Sequence, residues 1–165
     1  MPRAFVAFGG NVGDARDTIA RAIVQFCDGD RIRLIARSSE YRTPPWDKTD
    51  QAAFINACIA IDTGLTPLGL LDRAHEVERS FGRDRHKEER WGPRSLDIDL
   101  ITYGEETLDD PKLTLPHPRL FERAFVLVPL NEIAPDAVIA GRSLREVLDR
   151  LDQSGIERLE PNNQA

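Results

Sequence analysis

Residues 54–62, Phe-Ile-Asn-Ala-Cys-Ile-Ala-Ile-Asp, repeat with a period of two and read as a strand. Ile55, Ala57, Ile59 and Ile61 share one face, and Phe54, Asn56 and Cys58 share the other. The flanking segments supply its partners. Residues 3–8 read as a strand that runs into the turn Gly9-Gly10-Asn11-Val12-Gly13, and Asp14 then caps a helix. Ile19, Ile23, Phe26 and Cys27 recur there at helical spacing, so one face is buried. Residues 31–37 alternate as a half-exposed strand. Thr66-Pro67 opens a second helix, lined by Leu71, Ala74, Val77 and Phe81 and stopped by Gly82. Residues 96–103 read as a further strand and 125–130 as a strand or buried extended piece. Ser143-Leu144-Arg145-Glu146 is a capping box for a last helix.

The order strand–helix–strand–strand–helix–strand matches the split βαβ, ferredoxin-like pattern. The expected class is α+β, a mostly antiparallel sheet with helices packed mainly on one face. Residues 1–160 form a single domain in this reading, and 161–165 a disordered tail.

No run approaches the roughly 20 apolar residues that span a bilayer. The apolar stretch after Met1-Pro2-Arg3 is too short for a signal-peptide core, so the cytoplasm is expected. Cys27 and Cys58 lie in apolar-periodic segments without ligand spacing, where a thiol behaves as a small hydrophobe. A net charge of −6 argues against a general nucleic-acid binder. The charge is uneven, however. Arg83, Arg85, Lys87, Arg90 and Arg94 stand against Asp84, Glu88 and Glu89, which fits a confined anion site.

Asp97-Ile98-Asp99 is the sharpest local signal. On a strand both carboxylates face one side, a hard-oxygen pair that suits Mg²⁺ together with waters and phosphates. An exposed strand face with two solvated acids is the other reading, and spacing alone leaves the two near balance. The guanidinium groups just upstream favour adjoining phosphate and metal sites. Thr43-Pro44-Pro45-Trp46 is a stiff segment, able to present backbone groups to a flat ligand or to serve as a rigid connector. Phe54 and Asn56 offer an aromatic plane beside an amide that both donates and accepts, or else ordinary packing. His117 sits between prolines in a constrained loop, with Arg123 and Phe125 shortly after. His75 reads as a helix-surface residue and His86 as a solvated loop residue.

Taken in order, these residues resemble the 6-hydroxymethyl-7,8-dihydropterin pyrophosphokinase family of folate biosynthesis. The matching pieces are Gly9…Asn11, Tyr41-Arg42-Thr43-Pro44-Pro45, Phe54-Ile55-Asn56, Glu78 and Gly82-Arg83-x-Arg85. Arg90-Trp91-Gly92-Pro93-Arg94-Ser95-Leu96-Asp97-Ile98-Asp99 and Pro116-His117…Arg123-Ala124-Phe125 complete the series. The resemblance implies that a pterin hydroxymethyl oxygen attacks the β-phosphorus of ATP and AMP leaves. Two Mg²⁺ would bridge the phosphates and Asp97 and Asp99. The pterin would stack between Phe54 and Phe125, hydrogen-bond Asn56 and meet the backbone of Thr43, Pro44, Pro45 and Trp46. Glu78, Arg85, Arg90, Trp91, the backbone of Ile98, Thr114, His117 and Arg123 would hold ATP. Arg83 and Arg94 would assist catalysis electrostatically from a mobile loop. The chain departs from the family pattern at Gly10, His75, Pro118 and in a loop one residue longer between Arg85 and Arg90. Two rivals are an RNA-recognition-like binding module, which the acidic charge disfavours, and an inactive pterin sensor. A monomer is expected.

Overall fold

The computed structural model describes residues 1–45, 51–82 and 95–161. In chain order it runs β1 (Arg3–Gly10), α1 (Ala15–Phe26), β2 (Ile32–Arg37), β3 (Tyr41–Thr43) and β4 (Phe54–Thr63). It continues through α2 (Pro67–Ser80), β5 (Asp97–Tyr103), β6 (Leu108–Asp110), β7 (Leu113–Leu115) and a 3-10 turn at Leu120–Glu122. The last elements are α3 (Ala124–Ile133), β8 (Val138–Ile139), β9 (Arg142–Ser143), α4 (Leu144–Asp149) and β10 (Glu157–Arg158). The helix starts marked in the sequence are capped as read. Asp14 accepts from the Asp17 amide, Thr66 from Gly69, and Ser143 from Glu146.

β1 lies between β4 and β5 and is antiparallel to both. β4 is longer than its outer neighbours, so β2 pairs with its second half and β3 with its start. β10 adds to the outside of β3. The path β10-β3-β4-β1-β5 leaves β5 as one edge of this sheet.

Alternation along β1 and β4 divides the apolar side chains between two cores. Val6, Phe8, Ile59 and Ile61 pack with Ile23 and Phe26 of α1 and Leu70 and Val77 of α2. Ala7 and Cys58 point the other way, towards Leu127 and Leu130 of α3 and Leu148 of α4. The expectation of helices mainly on one face is therefore corrected: each face carries two of the four helices among the described residues.

The cause is α3, a helix where the sequence predicts a strand or buried extended piece over 125–130. Its run Ala-Phe-Val-Leu-Val-Pro-Leu has β-branched residues and a proline, and little amphipathic contrast. A helix buried between a sheet and another helix needs none. The amides of Val126 and Leu127 both bond the Arg123 carbonyl at 3.0 Å and start the helix despite Pro129.

The β8–β9 turn forces Ala140 to a φ of 51° beside Gly141 at 75°. Both central positions of such a turn favour residues that tolerate positive φ. Ala140→Gly is expected to stabilise the protein by about 1 kcal/mol, because it removes a Cβ from the left-handed region. A urea unfolding midpoint that stays put or falls would contradict this.

Candidate active site

The strand register builds a row of functional groups across three strands. Gly9 of β1 faces Asn56 of β4 on one side and Asp97 of β5 on the other. In the next row Ala7 lies between Cys58 and Asp99. Two small residues thus separate the amide side of the sheet from the carboxylate side, and the α3–α4 core lies on the same face. Gly9 is packed so closely that an added Cβ would stand 2.7 Å from Asn56 Oδ1.

Asn56 is buried and donates from Nδ2 to Thr43 Oγ1 at 2.7 Å. Thr43 thereby fixes the rotation of the amide. Pro44 and Pro45 continue from Thr43, and Phe54 pairs with Thr43 at the start of β4. Asn11 donates to Gln51 Oε1 and the Ala52 carbonyl, both at 2.9 Å, and ties the end of β1 to the approach to β4. Phe125 packs at the margin of the α3–α4 core, with the Arg123 guanidinium 5.6 Å from its ring centre.

Asp97 and Asp99 are half-buried, and Arg123 Nη1 stands 3.9 Å from Asp99 Oδ2. Between them, the Ile98 amide donates to Glu78 Oε2 at 2.8 Å. Glu78 is almost fully buried on α2, so it acts on the site through β5. That bond also gives the strand its orientation. An amide bonded to α2 points away from β1, and in an antiparallel ladder the carbonyl of the same residue points with it. Ile98 and Leu100 therefore turn their backbone groups to the open edge, and Asp97 and Asp99 turn theirs towards β1.

A pocket of about 230 Å³ lies along this edge, with Leu71 and His75 of α2, Ile98, Asp99 and Leu100 of β5, and Lys112, Thr114 and His117 among its lining. The His117 amide donates to the Ile101 carbonyl at 2.9 Å, which fastens the loop to β5. Its Nδ1 accepts from the Arg119 amide at 3.1 Å, so the neutral ring carries its proton on Nε2. Burial, aided by Arg123, pushes the imidazole down to about 4.

This shift has a definite sign. Between about 4 and the ordinary value of 6.5, unfolded His117 binds a proton that the folded residue does not. Its contribution to stability is complete above 6.5 and falls as pH drops towards 4, by up to about 1.4 kcal/mol per pH unit. Urea unfolding across this range is expected to show a shallower slope for His117→Gln than for the unmodified chain. Equal slopes would contradict the assignment.

The 7,8-dihydro-6-hydroxymethylpterin-pyrophosphokinase (HPPK) family model matches residues 5–135. The chain belongs to the HPPK family. It is 52% identical over 160 residues to the 2-amino-4-hydroxy-6-hydroxymethyldihydropteridine pyrophosphokinase of Methylorubrum extorquens, covering 97% of this chain and 100% of that protein. It is 43% identical to the Pseudomonas aeruginosa protein of the same name, covering 96% and 98%. A Plasmodium falciparum HPPK-DHPS structure with pterin and p-hydroxybenzoate superposes with a TM-score of 0.71 at 14% identity. That likeness covers 90% of this chain and 43% of the Plasmodium chain, and it speaks for the fold.

Among the residues expected from the HPPK resemblance, the fold brings Asn56, Asp97 and Asp99 onto one face, with Thr43 locked to Asn56 and Arg123 beside Asp99. Ile98, Thr114 and His117 line the pocket. Trp46, Arg83, Arg85, Arg90, Trp91 and Arg94 lie outside the described residues, as do His86 and Lys87. His75, read as a helix-surface residue, is partly exposed on α2 and lines the pocket. The sequence reading missed Leu71, Leu100 and Lys112 there. Leu100 shares the two-residue period of Ile98, which could have marked it. Lys112 depends on the β6–β7 hairpin, which carried no strong sequence signal.

Both cysteines are free, in agreement with the sequence. Burial pushes the Cys27 thiol up to about 11 and raises Cys58 further. Among the described residues, no helix is long and apolar enough to cross a membrane.

Proposed function

We propose that this chain transfers pyrophosphate from ATP to 6-hydroxymethyl-7,8-dihydropterin in folate biosynthesis, releasing AMP. The observation that carries the reading is the row Asn56–Gly9–Asp97, which sets an amide for a heterocycle edge beside a carboxylate for a metal. The pterin stacks between Phe54 and Phe125, hydrogen-bonds Asn56, and meets the backbone of Thr43, Pro44, Pro45 and Trp46. Its hydroxymethyl oxygen bonds the β-phosphorus of ATP and loses its proton. The bond from that phosphorus to the oxygen bridging the α-phosphorus breaks, and the bridging oxygen leaves with AMP.

The donor set fits magnesium: two half-exposed carboxylates on one strand face, with room left for waters and phosphate oxygens. Asp97 and Asp99 would hold two Mg²⁺, and bound Mg²⁺ neutralises phosphate charge. The residues around them position and exclude. The base enters the pocket along β5, where the backbone groups of Ile98 and Leu100 face it. Thr114 and Lys112 meet the ribose and phosphates, and His117 donates from Nε2. Arg123, beside Asp99, meets the phosphates, and Glu78 holds β5 in place. Arg85, Arg90 and Trp91 add to the ATP site, while Arg83 and Arg94 stabilise charge on the transferred group. Such transfer depends on positioning and charge, with no protein nucleophile. The ordering of strands supports a ferredoxin-like assignment, and the chain works as a cytoplasmic monomer that binds neither nucleic acid nor membrane.

Incubation with ATP, Mg²⁺ and the pterin is expected to release AMP only when pterin is present, in equal amount with pyrophosphorylated pterin. ADP as the product would overturn the reaction assigned here. Pterin binding without nucleotide turnover would instead identify a sensor.

A further inference from the structure

We infer that β10 and the turn before it position the pterin loop, with Gly155 setting where Pro44 sits. This rests on the pterin reading above. The segment lies beyond the residues matched by the HPPK model, which end at 135.

β3 has only three residues, yet its last one, Thr43, holds the Asn56 amide. So short a strand is held more firmly with both edges occupied. β4 takes one edge. β10 takes the other, pairing Glu157 with Arg42 and Arg158 with Tyr41. The Leu159 amide extends the ladder to the Glu40 carbonyl at 2.9 Å. Side chains secure the same seam. Arg16 donates to the Glu160 carbonyl at 2.6 Å and to the buried Glu40 carboxylate at 2.5 Å. Arg158 donates to Ser39 Oγ at 3.0 Å and stands 3.9 Å from Glu132, which itself accepts from Tyr41.

Gly155 turns this seam into a stop for the loop. Its φ of +80° is a glycine conformation, and an added Cβ would lie 3.1 Å from Pro44 Cγ. The bare backbone of the turn therefore abuts the proline ring that follows Thr43. A loop held this way before ligand arrives loses less freedom on binding, which appears as pterin affinity and not as faster chemistry.

The test uses two full-length variants and 6-hydroxymethyl-7,8-dihydropterin. Gly155→Ala drives a methyl against Pro44, and Leu159→Pro deletes the amide bonded to Glu40. Both are expected to raise the pterin KM about tenfold while kcat and the ATP KM stay within about twofold. If Leu159→Pro does not fold, Gly155→Ala decides alone. An unchanged pterin KM in variants of an active chain overturns this inference and leaves the reaction standing. An equal rise in both KM values with a lowered Tm also overturns it, since that is loss of general stability. An unmodified chain without pterin-dependent AMP release overturns both readings.

Discussion

Asp97→Asn and Asp99→Asn are each expected to cut pterin-dependent AMP release by about a thousandfold or more, or ~4 kcal/mol of transition-state stabilisation. Asparagine keeps the shape of the side chain and removes its charge, so β5 should stay paired with β1 through the backbone of both residues. The loss belongs to the chemistry because phosphate charge must be neutralised in the transition state, and a neutral amide is a poor partner for a hard dication. Asp99→Asn has a second effect, since it removes the ion pair with Arg123 at 3.9 Å. The single-turnover rate of AMP formation across a Mg²⁺ titration is the measurement. Rates within about threefold of the unmodified chain in either variant would remove the metal assignment.

Gly9→Ala is expected to have the next largest effect, a pterin affinity weaker by about a hundredfold, or ~2.7 kcal/mol. One methyl group is enough because its neighbour cannot give way. Asn56 Oδ1 would be 2.7 Å from the new Cβ, and the amide is already held by Thr43 on its far side. Relief requires either breaking that hydrogen bond inside a buried site or shifting β4 against β1. Overpacking of this kind costs about 1–3 kcal/mol of stability, so Tm should fall as well. Equilibrium titration with the pterin, beside titration with an ATP analogue, separates the local effect from the general one. Equal losses for both ligands would place the damage in the sheet as a whole.

Much of this arrangement was legible in the sequence because it depends on short-range periodicity. The alternation of 54–62 gives β4 and sorts Asn56 from Ile55, and the D-x-D spacing puts two carboxylates on one face of β5. Capping residues located the helix starts. The pieces that escaped depend on pairing between distant segments. Nothing local marks Gly9 as the spacer between Asn56 and Asp97, or Thr43 as the residue that turns the Asn56 amide. Glu78, which the resemblance places with ATP, also bonds the amide of Ile98, 20 residues away in the chain, and nothing local announces that contact. α3 was misread because burial on all sides removes the contrast by which helices are recognised.

The orientation fixed by the Ile98–Glu78 bond gives β5 two jobs in alternation. As far as Leu100, odd positions hold the acids and tie their own backbone to β1, while Ile98 and Leu100 turn theirs to the open edge. An inserted or deleted residue between Asp97 and Leu100, ahead of the bulge at Ile101, would exchange the two sets at a stroke, putting apolar side chains where the acids stand and acids into the core. Substitutions along this strand can be graded in their effect, but a change of length cannot.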